Sequence, residues 1–150
     1  IIILGCFREG TALIETIQAR APKLLSRLLV IDYNPALKNI LESKGIRWAY
    51  GDLANIDTLN HLHIRHASIV ICTISDTFLK GTTNNRLLRQ IKELCPQAKF
   101  IATADDHGEA ERLLDDGAAH VLIASHLAGS YLFELLQTPM KVREFNSLRV

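Results

Sequence analysis

Six short apolar or β-branched runs alternate with helix-like patterns along 150 residues, and that alternation restricts the chain to few folds. The runs lie at 1–4, 28–31, 47–50, 68–74, 99–103 and 120–123. In a stretch such as SIVICTI, apolar side chains occur at both parities, as expected of parallel strands covered on both faces. Helical patterns are expected at 11–20, 35–44, 56–62, 84–94, 108–116 and 127–137. The second has proline at its start and Gly45 just beyond its end. The fourth places Leu87, Leu88, Ile91 and Leu94 on one face before Pro96 stops it. Strand and helix in this order predict an α/β, Rossmann-like, doubly wound fold: a mainly parallel six-stranded sheet with helices on both faces and right-handed crossovers. Residues 1–150 read as one domain, with no linker, low-complexity segment or internal repeat.

Composition narrows the function classes. Lysine and arginine total 17 against 16 acids, which gives no case for a nucleic-acid partner or an anionic membrane surface. A hydrophobic share of 48% argues for a packed globule. No apolar run approaches the ~20 residues that cross a bilayer, and no signal peptide is visible. Cys6, Cys72 and Cys95 are odd in number and widely spaced, which reads as reduced thiols in a cytosolic protein. Without a C-x-x-C pair, zinc is not expected. The chain opens at Ile1, already inside a strand-like run, and reads as a piece excised from a longer protein.

In an open parallel sheet, ligands sit beyond the C-terminal strand ends, near the switch point beside the first strand. The loop there is GCFREG. Gly5 permits the turn, Gly10 permits close packing of helix on sheet, and the free N–H groups of the helix suit a phosphate. Phe7 stands where G-x-G-x-x-G has its middle glycine, and a benzyl group there obstructs a pyrophosphate. Glu9 adds a repulsive charge that Arg8 offsets. Asp32 ends the second run about twenty residues beyond Gly10, the offset of an acid that accepts ribose hydroxyls; its charge disfavours NADP. Asp52 is placed to meet an adenine or ribose edge. Thr73, Ser75 and Asp76 end the fourth run near the phosphate position.

The segments IIILGCFREG, VIDYNP, YGDLAN, ASIVICTISDTFLKGTTNNRLLRQIKELCPQAKFIATADD and LLDDGAAHVL resemble the regulator-of-K⁺-conductance domain, also called the KTN or TrkA-N domain. The variant is similar to those fused to Kef-type cation:proton antiporters. The resemblance implies a cytoplasmic Rossmann domain beneath a transmembrane cation transport unit of the same full-length chain. It also implies a homodimer or larger assembly in which a nucleotide adjusts transport without chemistry. It assigns the phosphate loop to Gly5, Arg8 and Gly10, the ribose to Asp32, the adenine side to Asp52 and Leu53, and the loop over the phosphates to Thr73, Ser75 and Asp76. Tyr33, in the same turn as Asp32, joins this candidate set. Phe7 departs from the nucleotide-binding branch, so AMP or another adenine nucleotide is expected before NAD(H).

Other residues have plainer readings. His61, His63 and His66 read as a solvated surface rather than a metal site. Asp105, Asp106, Glu109, Glu111, Asp115 and Asp116 read as a charged helix face rather than a cation site. Ser75, Asp76 and His107 contain a triad's residue types without the G-x-S-x-G elbow. Cys6 reads as redox-sensitive only if the helix terminus lowers its pKa. Trp48 and Tyr50 are placed to flank an adenine, with packing under a helix the default. The last helix carries Leu127, Tyr131, Leu132, Phe133, Leu135 and Leu136 and lacks a full polar face, so it wants cover on more than one side. Two rivals remain: the nucleotide domain of an NAD-dependent oxidoreductase and a ligand-free dimerisation scaffold.

Overall fold

The computed structural model of the chain describes residues 1–62 and 64–137, with Ile56 described in its backbone alone. His63, read above as part of a solvated surface, lies outside the described residues. Six strands, β1 (Ile2–Leu4), β2 (Leu29–Asp32), β3 (Arg47–Tyr50), β4 (Ile69–Cys72), β5 (Lys99–Thr103) and β6 (His120–Leu122), form one sheet. Their order is β3-β2-β1-β4-β5-β6, and every pairing is parallel. The chain winds outward from β1 in one direction and then from β4 in the other. The crevice between β1 and β4 is therefore the switch point at which a ligand is expected.

Helices α1 (Arg8–Arg20), α2 (Leu37–Ser43), α3 (Ile56–His61), α4 (Asn84–Leu94), α5 (His107–Asp115) and α6 (Ala124–Gln137) connect and follow the strands. Two 3-10 segments, Pro22–Arg27 and Ile64–His66, were not legible in the periodicity. The α1 helix begins at Arg8 rather than Thr11, because Gly5 at φ +74° reverses the chain and leaves Phe7 as the N-cap. The α6 helix begins at Ala124, its first turn closed by the His126 and Leu127 amides on the Ile123 carbonyl (3.1 and 3.2 Å).

β1 shows why the core has two sides. Ile2 and Leu4 pack with Val70, Cys72, Phe100, Leu87, Leu88 and Leu113, whereas Ile3 packs with Val30, Ile14 and Leu41 on the opposite face. Covered on both sides, β1 is apolar at every position. β4 departs from that expectation. Val70 and Cys72 are fully buried, yet Ile69 and Ile71 are only half-buried. With Ile101 of β5 and Leu122 of β6 they form a half-face that belongs to neither core cluster. No alternation betrays this, because an apolar run reads alike whether its second face meets a helix of the same chain or something else.

One polar residue stitches the C-terminal half together. Asn84, fully buried at the start of α4, donates through Nδ2 to the carbonyls of Ile74 (2.9 Å) and Thr103 (3.1 Å) and to Asp76 Oδ1 (3.1 Å). Its backbone N–H reaches the same Asp76 oxygen at 2.6 Å. Replacing it strips buried acceptors of their donor. Asn84→Ala is expected to lower the unfolding free energy by roughly 2 kcal/mol or more, as measured by urea denaturation.

Candidate functional site

Gly5 and Gly10 form the floor of the switch-point crevice. The Gly5 amide donates to the Ile31 carbonyl (2.9 Å), and a Cβ on Gly5 would come within 2.1 Å of Ile74 Cδ1. At Gly10 a Cβ would lie 2.6 Å from Thr73 Oγ1 and 3.1 Å from the Gly5 carbonyl. Only glycine lets α1 come this close to β4. Thr73 fills the remaining gap, its buried hydroxyl donating to the Gly5 carbonyl at 2.6 Å. Thr73 therefore fastens the turn, and its hydroxyl faces protein rather than the phosphate position.

Asp32 is likewise engaged from within. At 6% exposure its Oδ2 accepts from the Cys6 amide and its Oδ1 from the Asn34 amide, each at 2.7 Å. Asn34 Oδ1 in turn accepts from the Ala36 amide (3.1 Å), which orients the approach to α2. The acid thus sits beside the glycine turn as the spacing implied, already holding two N–H groups. Each of its oxygens has a second lone pair for a ribose hydroxyl.

The α1 terminus presents the anion-binding feature. Phe7, its N-cap, makes no side-chain cap hydrogen bond. The first-turn amides of the helix therefore have no side-chain oxygen of the N-cap on them, and the dipole favours negative charge there. Arg8 stands at this end, its guanidinium 5.0 Å from the centre of the Phe7 ring and 5.3 Å from that of Phe78. The two rings meet at 5.8 Å. This aromatic pair links the glycine turn to the β4–α4 loop and borders a cleft of about 320 Å³. Arg8, Ser75, Asp105 and Ser125 also line the cleft.

The other candidates divide. Tyr33, at 70% exposure, and the exposed Asp52 stand open beyond β2 and β3. Asp52 Oδ1 accepts from the Ala54 amide at 2.9 Å, shaping its own loop. Leu53 is buried in the core and offers no side chain to an adenine. Ser75 is buried beside Asp105. Partial burial alone raises a carboxyl's pKa, but hydrogen bonds from Ser75 and Thr77 hold Asp105 below its ordinary value. Asp76 is turned onto Asn84 rather than toward the phosphate position. Trp48 and Tyr50 meet edge-on at 6.5 Å, with Trp48 against the core under α2.

The reactive readings find no assembled geometry. Burial, and secondarily the Asp32 charge, raises the Cys6 thiol, opposed by its contact with Thr11; the depressed pKa of a redox sensor is not met. Cys72, wholly buried, is pushed up to about 12. Ser75 engages Asp105, whereas His107 packs edge-on against His126 at 4.1 Å. Among the described residues, no three His, Cys, Asp or Glu side chains are placed to hold a metal ion. Among them, no helix is long and apolar enough to cross a membrane. Sequence reasoning missed Phe78, whose contact with Phe7 requires the β4–α4 loop to fold back. It also missed Asn84, whose NN pair at a helix start was the available signal.

The model of the TrkA-N domain family matches residues 1–124. The putative cation/proton antiporter YbaL of Escherichia coli (strain K12) is 26% identical over 141 residues, 92% of this chain and 23% of that protein. The chain thus spans under a quarter of that relative's length. The crystal structure of the TrkA-N domain of YbaL superposes with a TM-score of 0.73 at 24% identity, covering 90% of this chain and 94% of that one. The GsuK channel bound to NAD superposes at 0.67 and 25% identity, over 87% of this chain and 22% of that one. The Kef C-terminal domain of Shewanella denitrificans in an AMP-bound form superposes at 0.66 and 21% identity, over 91% and 78%.

The internal bonds of Asp32 carry a consequence for stability. Asp32→Ala is expected to lower the unfolding free energy without any ligand by roughly 1.5–3 kcal/mol, because two amides lose a charged acceptor. Denaturant unfolding of the ligand-free protein checks this.

Proposed function

This chain belongs to the TrkA-N domain family, and on that premise we propose that it is a ligand-sensing, dimerising regulatory domain. It controls a membrane cation transporter, a cation:proton antiporter before a channel, from the cytoplasmic face. The single observation that carries the sensing role is the α1 N-terminus, opening without a side-chain cap from a glycine turn beside Asp32. An adenine nucleotide lays its phosphate on that terminus and against Arg8. Its ribose lies at Asp32, and its base lies on the open side formed by Tyr33 and Asp52. Thr73, Ser75 and Asp76 shape the loop behind the phosphate, and Leu53 holds the third loop through the core. AMP is favoured over NAD(H), since Phe7 and Phe78 occupy the route a second nucleotide half would take. YbaL, named as an antiporter, and the NAD-bound GsuK channel support this reading at the level of the family.

The domain performs no chemistry in this reading. A nucleotide acts on transport only through its difference in affinity for two arrangements of the assembly. A second copy of the chain supplies that assembly. Leu132, Phe133 and Leu136 of α6 are 61%, 60% and 78% exposed. A shallow groove of about 680 Å³ runs along the helix past Gly129 and Phe133. The half-face of Ile69, Ile71 and Ile101 is a second apolar surface in need of cover. Contiguous exposed apolar surface of this kind marks an interface.

Calorimetric titration with AMP, ADP, ATP, NAD⁺ and NADH tests the sensing role. AMP is expected to bind and Arg8→Ala to weaken it; silence for all five on folded protein overturns the proposal. Phe7→Gly is expected to raise the affinity for NAD⁺ relative to AMP by about tenfold, or ~1.4 kcal/mol, measured in the same titrations. For assembly, a Leu132→Asp, Phe133→Asp double variant is expected to shift sedimentation from dimer toward monomer while leaving the far-ultraviolet spectrum unchanged.

A further inference from the structure

Glu109 is a buried acid whose neighbours are acids. It lies in the first turn of α5, where the N-cap Asp106 accepts its amide at 2.8 Å. Its side chain folds back, and Oε2 accepts from the Asp105 amide at 2.8 Å. Oε1 is buried and meets no donor, although the residue as a whole is only 9% exposed. From the β4–α4 loop, the Asp76 carboxyl stands within hydrogen-bonding contact of Glu109. Asp76 Oδ1 is already occupied by both N–H groups of Asn84.

The groups that face Glu109 are Asp76 from the β4–α4 loop and Asp105 from the β5–α5 loop, both acidic, with neutral Asn84 at the start of α4 beyond Asp76. Arg112 lies one turn further along α5, where a Cβ on Gly108 would stand 3.7 Å from its Nη1. Two ionised carboxylates in contact repel, and neither can donate to the other. A proton between them removes both difficulties at once. We infer that Glu109 carries this proton on Oε1 and donates it to the Asp76 carboxylate, so that the pair holds one proton and fastens the β4–α4 loop to α5.

The consequence reaches the cleft, because the loop tied down through Asp76 also carries Ser75 and Phe78. Burial, first, and then the Asp76 and Asp105 charges raise the Glu109 pKa above its ordinary value, while the Asp105 amide opposes them. The folded state therefore holds this proton at a pH where the unfolded chain has released it. The pair's contribution to stability is complete below the ordinary carboxylate range. It falls as pH rises from there through the raised folded value, and is constant above it. On release the proton passes to solvent, the O–H···O bond is lost and two like charges remain.

A carbon-detected NMR titration of the side-chain carboxyls tests this without any nucleotide, so failure is separable from failure of the sensing role. The Glu109 resonance, assigned with Glu109→Gln, is expected to titrate at higher pH than the other glutamates. Asp76→Asn, which supplies an N–H donor in place of the second charge, is expected to move that midpoint down. In thermal melts Glu109→Gln, which keeps a donor facing Asp76, is expected to flatten the fall in Tm across the same pH range. A Glu109 midpoint among those of the other glutamates, a midpoint unmoved in Asp76→Asn, or an unchanged Tm profile in Glu109→Gln overturns the inference.

Discussion

The contact between the Asp32 carboxylate and the Cys6 amide holds the end of β2 to the turn that follows β1, and the site depends on it. At low exposure the carboxylate is met by two amides, a hydrogen-bonded arrangement that an apolar side chain cannot equal. Across the turn, Thr73 of the β4 end holds the Gly5 carbonyl. The turn is thus fixed from both neighbours of β1, and the direction of α1 follows. A helix terminus that accepts an anion is useful only if it is held in one place, and these two hydrogen bonds hold it. Asp32 consequently supports the site's architecture before it touches any ligand.

The same turn limits what can bind. Glycine at positions 5 and 10 brings α1 against β4, whereas Phe7 between them directs an aromatic ring toward Phe78 with Arg8 stacked over both. Cation and rings lie at cation–π distance, which presents the guanidinium at the rim of the cleft in a restricted set of rotamers. On the far side of that pair, buried Asn84 and Glu109 join the partly buried Asp76 and the exposed Asp105 in a polar layer between loops and helices. The cleft on one side and the acid pair on the other border the same β4–α4 loop.

Much of the fold was legible because a buried parallel sheet leaves a coarse trace: apolar runs, amphipathic helices and a glycine or proline at most junctions. The strands at Arg47–Tyr50 and Lys99–Thr103 and the helix at Asn84–Leu94 stand where periodicity placed them. The start of α1 was not legible, since Phe7 and Arg8 carry no helix-start signal and only the reversal at Gly5 brings them into register. Nor was the open half-face of β4. In the site, spacing placed Gly5, Gly10 and Asp32 together, but not the inward commitments of Thr73, Asp76 and Leu53. A hydroxyl or carboxyl reads the same in a sequence whether it faces a ligand or a carbonyl.

The sequence by itself determined the architecture and the location of the crevice, because hydrophobic period and glycine spacing are local properties that survive in one dimension. Tertiary structure alone decided which polar atoms are already satisfied, which apolar faces stay open, and that Glu109 meets Asp76 across two loops. Those outcomes depend on contacts between residues far apart in the chain. Burial is the physical reason they matter: away from water, each polar group must find a partner within the fold, and that partner's identity is a fact of three dimensions.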